Sequence, residues 1–437
     1  TAGETTPPAV KVAADQSARK DFEGSDLIVA KEQTVSYGNP TLRFTHRTAR
    51  VTVILTDYTE GMASVKLTGL STENGNPAQI IPYDKGNDTY TALVAPQSVA
   101  TGTAFITCAF TNGKVFVYKM QSDTHWQAGE EYTYTVSLAA AKDPGYTVSE
   151  DGKTYEVYNA EGLKNIAELV NEEWKLDINI TLTNNIDLTG IDWTPIGKDD
   201  NKAYTGTFDG NGKTITGLTV TRSNRYTGLF GFIKGTVKNV VLTEVNITSG
   251  TFVGGVAGWS FGGNIENCSV SGSVSGSSGS DVGGVVGYQQ VGSITGCSSS
   301  ATVKGTERAG GVVGVTNGGT TPLTACYATG NVTVENDGTS NAWAGGIVGM
   351  NGTGTLIACY AAGNVSGNIV GGAVGVNYAT VTACYWSGLP DNDNGGATKV
   401  DGTTVTWQNA VDAMNNALNG SGWQYELTGA LPTLKKQ

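Results

Sequence analysis

Five cysteines recur at matching places in a glycine-rich part of the sequence, and a thiol can be a nucleophile, a metal ligand or half of a disulfide. An aliphatic residue stands three positions before each cysteine, and a valine follows six positions after four of them. No histidine lies near any of the five, and no CxxC spacing is present. An odd set of five also cannot pair off completely. We therefore predict a structural ladder of free, buried thiols: Cys268, Cys297, Cys326, Cys359 and Cys384.

Catalysis by carboxylates or by histidine has little support in the sequence. Glycoside hydrolysis generally needs two carboxylates, and the acidic residues between positions 226 and 386 do not recur in register: Glu244, Glu266, Asp281, Glu307, Glu335 and Asp337. Cys108 with His46 or His125 would be a nucleophile and a base, whereas the simpler interpretation puts His46 in a strand and His125 in a turn. We expect no catalytic residues and no enzyme.

Two short segments combine oxygen-bearing side chains with glycine, as calcium-binding loops do. They are FDGNGK at 208–213 and DNDNGG at 391–396. Neither supplies the distal bidentate glutamate of an EF-hand loop, and ordinary turn chemistry accounts for both. We predict no metal and no cofactor.

Aromatic residues in the glycine-rich region are the candidates for ligand binding. Tyr327, Tyr360 and Tyr385 each follow a repeat cysteine, so strand alternation puts them outward if the cysteines point inward. They would form either an exposed stripe suited to sugar rings or a protein partner, or a ladder that stabilises the stack. The remaining candidates lie in or next to the glycine-rich units: Trp259, Tyr288, Trp343 and Tyr378.

The element that must position these side chains is a repeated unit of the GGVVG type. Copies begin at 254, 283, 310, 345 and 371, and TGLFG at 227–231 is a degenerate first copy. The copies start about 26 to 35 residues apart, a period typical of solenoids. Short apolar runs between Gly, Ser and Asn suit parallel strands stacked coil on coil. Predicted helices at 159–173 and 407–419 flank the repeats, where caps would be needed.

Composition limits the fold and the partners. The chain has 437 residues, 61 glycines and a net charge of −12, with only 15% charged residues, which favours an all-β protein rich in turns. No cluster of Lys and Arg is present, which argues against anionic lipid as a partner, and we expect no nucleic acid as a partner. No apolar run reaches the length of a membrane-spanning segment. The chain begins with Thr, so we expect that a leader was removed or left out.

Changes in pattern along the chain predict four regions. Residues 1–21 are polar with paired prolines and suggest a flexible leader or one extended segment, and 141–155 a linker. Period-two alternation over 22–140 predicts an antiparallel β-sandwich. Residues 156–437 form the predicted solenoid with its helical caps. The predicted fold is thus all-β, an antiparallel sandwich followed by a parallel β-solenoid of GG-V-V-G repeats with short capping helices.

Residues 175–390 resemble the GLUG-motif repeats of bacterial surface proteins. The GGVVG units carry the resemblance, and WTPIG at 193–197 and YTGTFDGNGKTITGL at 204–218 are similar to the coils that precede such arrays. The resemblance implies a secreted, surface-exposed module without a defined chemistry.

Residues 22–138 resemble the fimbrillin-like family. The resemblance is carried by four segments: DLIVA (26–30), TLRFTHRTARVTVILT (41–56), VKLTGL (65–70) and WQAGEEYTYTVSL (126–138). Family members are pilus and pilus-tip subunits of certain Gram-negative bacteria, exported as lipoproteins and assembled by strand donation. Members usually have two sandwich domains, whereas only the second is recognisable here. The C-terminal ALPTLKKQ ends a cap and not a sandwich strand, which fits a tip subunit better than a shaft subunit.

Together, the resemblances imply a cell-surface adhesin, exported across the outer membrane and located on a fimbrium as a tip or accessory subunit. Its expected partners are other pilus subunits and a glycan or protein on a host or bacterial surface. The alternatives are a structural spacer or pilus component without its own receptor, and a carbohydrate-active β-helix enzyme.

Overall fold

The computed structural model describes residues 8–30, 36–38, 40–111, 115–139, 144–221, 225–277, 280–319, 321–335 and 342–437. Strands make up 47% of it and helices 8%. The chain divides into two compact units, Thr1–Asp143 and Pro144–Gln437. The first unit is sandwich-like and the second is a parallel β-solenoid, so the predicted all-β fold is confirmed.

The first unit packs its strands around one apolar core. Its four-stranded sheet has the order Glu131–Ser137, Ala49–Thr56, Thr89–Val94, Tyr83–Gly86. Its three-stranded sheet has the order Met62–Leu67, Ala104–Phe110, Val115–Lys119. The described part of the unit has two further strand pairs: Ile28–Ala30 with Phe44–His46, and Gln97–Val99 with Thr124–Trp126. A short helix, α1, spans Arg19–Gly24, and a 3-10 turn spans Glu73–Gly75.

One strand pair of this unit corrects the prediction of a purely antiparallel sandwich. Glu131–Ser137 runs parallel to Ala49–Thr56, whereas the other strand pairs described in the unit are antiparallel. The two paired strands lie far apart in sequence, and a long connection allows either strand direction, unlike a tight hairpin.

The segment before α1 also differs from the predicted flexible leader. The Gln16 side chain is fully buried, donates to the Leu93 carbonyl at 2.8 Å and accepts from the Leu93 N–H at 2.9 Å. The Asn76 side chain bonds the backbone of Val10 and of Val12. Residues 10–16 are therefore bound to the sandwich, because Asn76 pairs with backbone groups of Val10 and Val12 and Gln16 pairs with those of Leu93. Residues 1–7 lie outside the described part.

The described residues of the solenoid coils form four sheets, which we call A to D. Sheet A contains Tyr146–Val148, Thr154–Val157, Asn179–Leu182, Thr207–Asp209, Thr236–Lys238, Asn264–Glu266, Ser293–Thr295, Thr321–Thr324, Gly354–Ile357 and Thr380–Thr382. Sheet B contains Ile186–Asp187, Thr214–Thr216, Thr219–Val220, Val241–Ser249, Ser269–Gly276, Ser298–Ser299, Thr302–Gly305, Tyr327–Ala328, Val332–Val334, Tyr360–Ala361, Val365–Ser366, Tyr385–Trp386 and Thr398–Lys399. After the first, antiparallel pair of sheet A, the described pairs in all four sheets are parallel, so equivalent residues of successive coils lie in register.

Sheets C and D are built from the GGVVG units. Sheet C contains Tyr226–Thr227, Phe252–Gly254, Asp281–Gly283, Arg308–Gly310, Trp343–Gly345 and Ile369–Gly371. Sheet D contains Phe230–Ile233, Ala257–Phe261, Val286–Gln290, Val313–Asn317, Val348–Asn351 and Val374–Asn377. A Cβ on Gly287 would lie 2.5 Å from the Val253 backbone nitrogen, and one on Gly254 would lie 2.3 Å from the Ala257 carbonyl oxygen. The repeated glycines are therefore needed because the two sheets approach backbone to backbone.

Helix α2, Ala160–Asn171, follows the first two strands of sheet A. The Asn159 side chain accepts a hydrogen bond from the Gly162 N–H at 2.8 Å, an N-cap. Leu163 and Ile166 of this helix are fully buried in the solenoid core. The predicted linker at 141–155 is corrected in part, since Tyr146–Val148 is already a strand of sheet A; residues 141–143 lie outside the described part.

The C-terminal segment lies on the side of the coils. Helix α3, Trp407–Ala417, begins with a capping box of Thr406 and Asn409, and the hairpin Trp423–Glu426 with Thr433–Lys436 follows it. Both pack against residues of successive coils, among them Ala325 and Ala358. The last GG unit, at 371–375, is covered by the loop at 391–396 and not by α3. The carboxylate of Asp393 there accepts hydrogen bonds from the N–H groups of Ala373, Val374, Gly395 and Ala397.

Candidate functional site

The repeat cysteines form a ladder inside the solenoid. All five are free and at most 2% exposed. Each thiol donates to the carbonyl two residues earlier at 3.2 to 3.5 Å. The sulfur of Cys297 also accepts from the Cys268 N–H at 3.4 Å, and Cys326 does the same for Cys297. Burial raises the pKa of the Cys268, Cys326 and Cys384 thiols well above the usual range, so they are poor nucleophiles.

The tyrosines that follow these cysteines are covered, so of the two alternatives the stabilising ladder fits them and the exposed stripe does not. Tyr327 and Tyr360 stack with ring centroids 5.0 Å apart and an interplanar angle of 2°. Tyr360 is only 1% exposed, because its ring lies 5.7 Å from that of Tyr425 and its hydroxyl donates to the Pro432 carbonyl. Tyr327 and Tyr385 are partly buried in the same cluster. The three tyrosines form a ladder that holds α3 and the hairpin.

The other four aromatic candidates occupy different places. Trp259 and Tyr288 lie on neighbouring strands of sheet D, directly opposite each other. Trp343 lies on sheet C opposite Arg308 and is partly exposed. Tyr378 follows the last strand of sheet D and is 68% exposed. Among these candidates, the structure brings only Trp259 and Tyr288 into ring contact within its described part.

Five rings from three successive coils form one surface, which we call the aromatic face: Tyr226, Phe232, Phe252, Trp259 and Tyr288. Trp259 stacks on Tyr288 with centroids 4.3 Å apart and on Phe232 at 5.9 Å. Phe252 meets Trp259 edge-on at 4.5 Å and stacks on Tyr226 at 5.6 Å. Phe252, Trp259 and Tyr288 are partly exposed, whereas Tyr226 and Phe232 are buried beneath the surface.

The aromatic face arises from two columns of the repeat. One column stands two residues before each GG pair, in sheet C, and holds Tyr226 and Phe252 in its first two coils. The other column, in sheet D, holds Phe232, Trp259 and Tyr288 in successive coils. Tyr226, Phe232 and Phe252 are not among the candidates predicted from the sequence, although an alignment of the repeats places them in the same columns.

Cations and a cavity border the aromatic face. The Arg225 guanidinium lies 5.1 Å from the ring centroid of Tyr226 and 5.9 Å from that of Phe252, within the range of cation–π attraction. A cavity of about 260 Å³ adjoins Tyr226 and is lined by Trp193, Thr194, Pro195, Lys198, Asp199, Arg225 and Tyr226. A second cavity of about 390 Å³ beside α2 shares Trp193 and Thr194 with the first.

An ion pair lies on the column of Phe252, one coil further along. Asp281 is directly opposite Phe252 in sheet C, and its side chain is 1% exposed. Its Oδ1 accepts from Arg308 Nε at 2.5 Å, and the Arg308 Nη2 lies 3.3 Å from a carboxylate oxygen of Glu307. Asp281 Oδ2 and Trp259 Nε1 are both buried without a hydrogen-bond partner in the described part of the chain. Burial raises the pKa of the Asp281 carboxyl to about 7, although Arg308 acts in the opposite direction.

The remaining chemical candidates do not come together. His46 ends a strand, and its Nδ1 lies 2.8 Å from an Asp26 carboxylate oxygen. His125 is in the strand Thr124–Trp126 and not in a turn; its Nδ1 lies 2.8 Å from Ser98 Oγ on the paired strand. Cys108 is buried, and its burial raises the pKa of the thiol to about 11. Over the residues described, no three His, Cys, Asp or Glu side chains are grouped as metal ligands.

The two units of the chain match different families of known proteins. Residues 1–151 match the fimbrillin-like family, and residues 249–275 and 278–304 match the GLUG motif. The chain thus combines a fimbrillin-like N-terminal region with GLUG repeats, and both resemblances drawn from the sequence are confirmed. The fimbrillin-like match supports a cell-surface protein of the pilus or adhesion type.

Two relatives extend this comparison. Halomucin of Haloquadratum walsbyi is 30% identical over 227 residues, which are 50% of this chain but 2% of halomucin. The chain thus spans only a small part of this relative's length. The crystal structure of a "putative immunoglobulin A1 protease" from Bacteroides ovatus has a TM-score of 0.52 and 20% identity, covering 66% of this chain and 94% of that one. At this identity the likeness shows a shared fold alone. Within the described residues, no helix is both long enough and apolar enough to cross a membrane.

Proposed function

We propose that this protein is a cell-surface adhesin, a fimbrial tip or accessory subunit that binds a host or bacterial surface ligand through the aromatic face of its solenoid. The fimbrillin-like region supports the surface role. The observation that carries the binding role is the contact of five aromatic rings over three coils, three of them partly exposed: Phe252, Trp259 and Tyr288.

Clustered aromatic side chains are the residues that dominate binding energy at recognition surfaces, because they bury a large apolar area with few rotatable bonds. The ladder of Tyr327 and Tyr360 does not offer such a surface, since the C-terminal segment already covers it. The aromatic face has no comparable cover among the described residues of the solenoid. Contact with a ligand would remove its exposed apolar area from water.

The proposal is for a binding protein without catalysis. The repeat thiols are buried in the coil, and the Asp281 carboxylate is engaged by Arg308. A nucleophile with an adjacent base is the usual arrangement for acyl transfer, and Cys108 has neither His46 nor His125 as its hydrogen-bonded partner among the contacts described. Other pilus subunits as partners, and export as a lipoprotein precursor in a Gram-negative bacterium, belong to the same proposal.

Adhesion of the purified chain to host and bacterial cell surfaces tests this function. We expect wild-type protein on beads to retain cells, and Trp259→Ala with Tyr288→Ala to reduce retention by about tenfold. Trp174→Ala is the matched control, because Trp174 is 58% exposed and lies outside the aromatic face. Tyr378→Ala tests the exposed candidate predicted from the sequence.

The outcomes separate the alternatives. Retention that the double variant leaves unchanged would remove the aromatic face from the proposal. If the wild-type protein retains no host or bacterial cells, the alternative of a structural spacer or pilus component without its own receptor is favoured.

A further inference from the structure

We infer that the cavity beside Tyr226 binds a sugar that carries a carboxylate group, and that the carboxylate pairs with the Arg225 guanidinium. The cavity borders the aromatic face, so the ligand class of this part of the solenoid is a glycan that ends in such a sugar. This inference rests on the proposed function, because it names the ligand of the same surface.

Arg225 is a cation of the cavity wall without a counter-ion among the described residues. Its guanidinium lies 5.1 Å from the ring centroid of Tyr226 and 5.9 Å from that of Phe252. No ion pair of Arg225 is found in the described part of the chain, whereas Lys198 on the same wall is bound by Glu172 at 2.7 Å. Contact with a ring face leaves the N–H groups at the edge of an exposed guanidinium available to an acceptor.

A carboxylate is the group that this guanidinium fits. It accepts two parallel hydrogen bonds from the N–H groups of an arginine, and such charge-assisted bonds are about twice as strong as neutral ones. The rings of Tyr226 and Phe252 restrict the position of the Arg225 guanidinium, which lowers the entropy lost when the pair forms. One uncompensated cation also suits a singly charged carboxylate better than a doubly charged phosphate.

Other polar groups of the wall favour a sugar over an acidic side chain of a protein. Asp199 Oδ1 accepts from the N–H groups of Asn201 and Lys202 at 3.0 and 2.9 Å, and its Oδ2 has no partner among the residues described. Thr194 is exposed on the same wall. A sugar hydroxyl donates to the Asp199 carboxylate and exchanges hydrogen bonds with Thr194. An ionised Asp or Glu side chain offers no donor, and Asp199 repels it.

The volume of the cavity fits one sugar residue. Pockets for drug-sized ligands measure about 300 to 1,000 Å³, and this cavity measures about 260 Å³. Trp193 and Pro195 supply its apolar wall, and Trp193 Nε1 already donates to the Leu229 carbonyl at 3.0 Å. The wall is therefore formed before a ligand arrives. The second cavity, of about 390 Å³, shares Trp193 with the first and leaves room for the next sugar of a glycan.

The test is binding of the full chain to immobilised oligosaccharides that end in a carboxylate-bearing sugar. Each is placed beside the same oligosaccharide with its carboxyl group reduced to an alcohol, and calorimetry measures the affinities for the best pair. We expect the carboxylate form to bind about tenfold or more tightly than the reduced form. Arg225→Ala should abolish this preference and leave the affinity for the reduced form nearly unchanged, because the lost interaction is with the carboxylate.

Two further variants separate the guanidinium from the charge. Arg225→Lys keeps the charge but lacks the planar fork, so it should retain a preference of about threefold. Arg19→Ala is the matched control: it removes the same charge from a side chain that is 77% exposed in the first unit, and it should keep the full preference. Added salt should weaken the preference of the wild type. Circular dichroism checks that each variant is folded.

The results are distinguishable from failure of the proposed function. Adhesion to cells that depends on Trp259 and Tyr288, without binding to any carboxylate-bearing glycan, would overturn this inference and leave the adhesin role standing. A preference for the carboxylate that Arg225→Ala leaves unchanged, or that Arg19→Ala reduces equally, would rule out the cavity as the site. Binding of a glutamate-rich peptide with the same dependence on Arg225 would refute the sugar as the source of the carboxylate. Absence of both adhesion and glycan binding would overturn both proposals.

Discussion

The buried Asp281 carboxyl gives the solenoid a stability that depends on pH, and Asp281→Asn removes that dependence. Burial dominates over the attraction of Arg308, so the folded protein holds a proton that the unfolded chain has released. For a carboxyl group with a raised pKa, stability is greatest below its unfolded pKa and declines as the pH rises through the folded value. The relevant window therefore runs from about pH 4 to about pH 7.

The size of the effect follows from the same shift. A pKa raised from 3.8 to about 7 corresponds to a loss of about 2.5 kcal/mol of unfolding free energy between pH 5 and pH 8. The asparagine side chain in Asp281→Asn stays neutral throughout, so the variant lacks this loss. We expect Asp281→Asn to gain about 2.5 kcal/mol relative to wild type over this interval. Arg308 remains paired with Glu307 in the variant.

Chemical denaturation at pH 5 and pH 8, followed by tryptophan fluorescence, measures this difference. The N-terminal unit is the same in both proteins, so its contribution cancels. Asp209→Asn is the control. Burial acts to raise the pKa of Asp209, but hydrogen bonds from Asn239 and Asn211 act to lower it, and the net pKa is below the usual value. Its stabilisation is lost only below the unfolded pKa of 3.8, so its difference from wild type should be constant between pH 5 and pH 8. If wild type and Asp281→Asn change equally over this interval, the reasoning is refuted, and the attraction of Arg308 outweighs desolvation.

Three further predictions concern the architecture. The six cysteine thiols should resist alkylation until the protein is denatured, because each is at most 2% exposed. A label found by mass spectrometry on a cysteine of the native protein would contradict this. Ala383→Gly should raise the unfolding free energy by about 1 kcal/mol, because Ala383 has a φ of 49°, a left-handed conformation that is strained for a residue with a Cβ. A lower melting temperature for the variant would count against this prediction. Gly287→Ala should lower the unfolding free energy by about 2 kcal/mol, because the added Cβ would lie 2.5 Å from the Val253 backbone nitrogen. Gly429→Ala is the control and should be near neutral, since no atom lies within 4 Å of its added Cβ. Equal effects of the two substitutions would disprove the packing argument.

Much of the solenoid could be predicted from the sequence because each coil contacts mainly its neighbours. Contacts that recur from coil to coil require the same residue types at the same spacing, so they appear as a period in the sequence. The GG units, the cysteines and the aliphatic residue three positions before each cysteine are such recurring residues. Helix α2 was predictable for a similar reason, since its Asn159 cap and its apolar stripe are both local. The pairing of Glu131–Ser137 with Ala49–Thr56 was not, because no local pattern records which distant strand is the partner.

The tyrosine ladder shows the same limit at the candidate site. Alternation within a coil indicates that Tyr360 points away from Cys359, but it carries no information about what lies on the outer side. Only the folded chain brings Tyr425 and Pro432 onto that ring, the latter from 72 positions further along the sequence. Burial of a side chain depends on such long-range contacts, so the sequence left an exposed stripe and a covered ladder open as alternatives for Tyr360.

By itself the sequence determined the period, the inward cysteines and the presence of aromatic residues near the GG units. The tertiary structure decided which of those rings form a surface. Phe252 and Trp259 are in contact because the intervening glycines let sheets C and D approach backbone to backbone, so two columns that are separate in the sequence become one face. That Trp259 Nε1 and Asp281 Oδ2 have no partner among the described residues is likewise visible only in three dimensions, since hydrogen bonding depends on the positions of all neighbouring atoms.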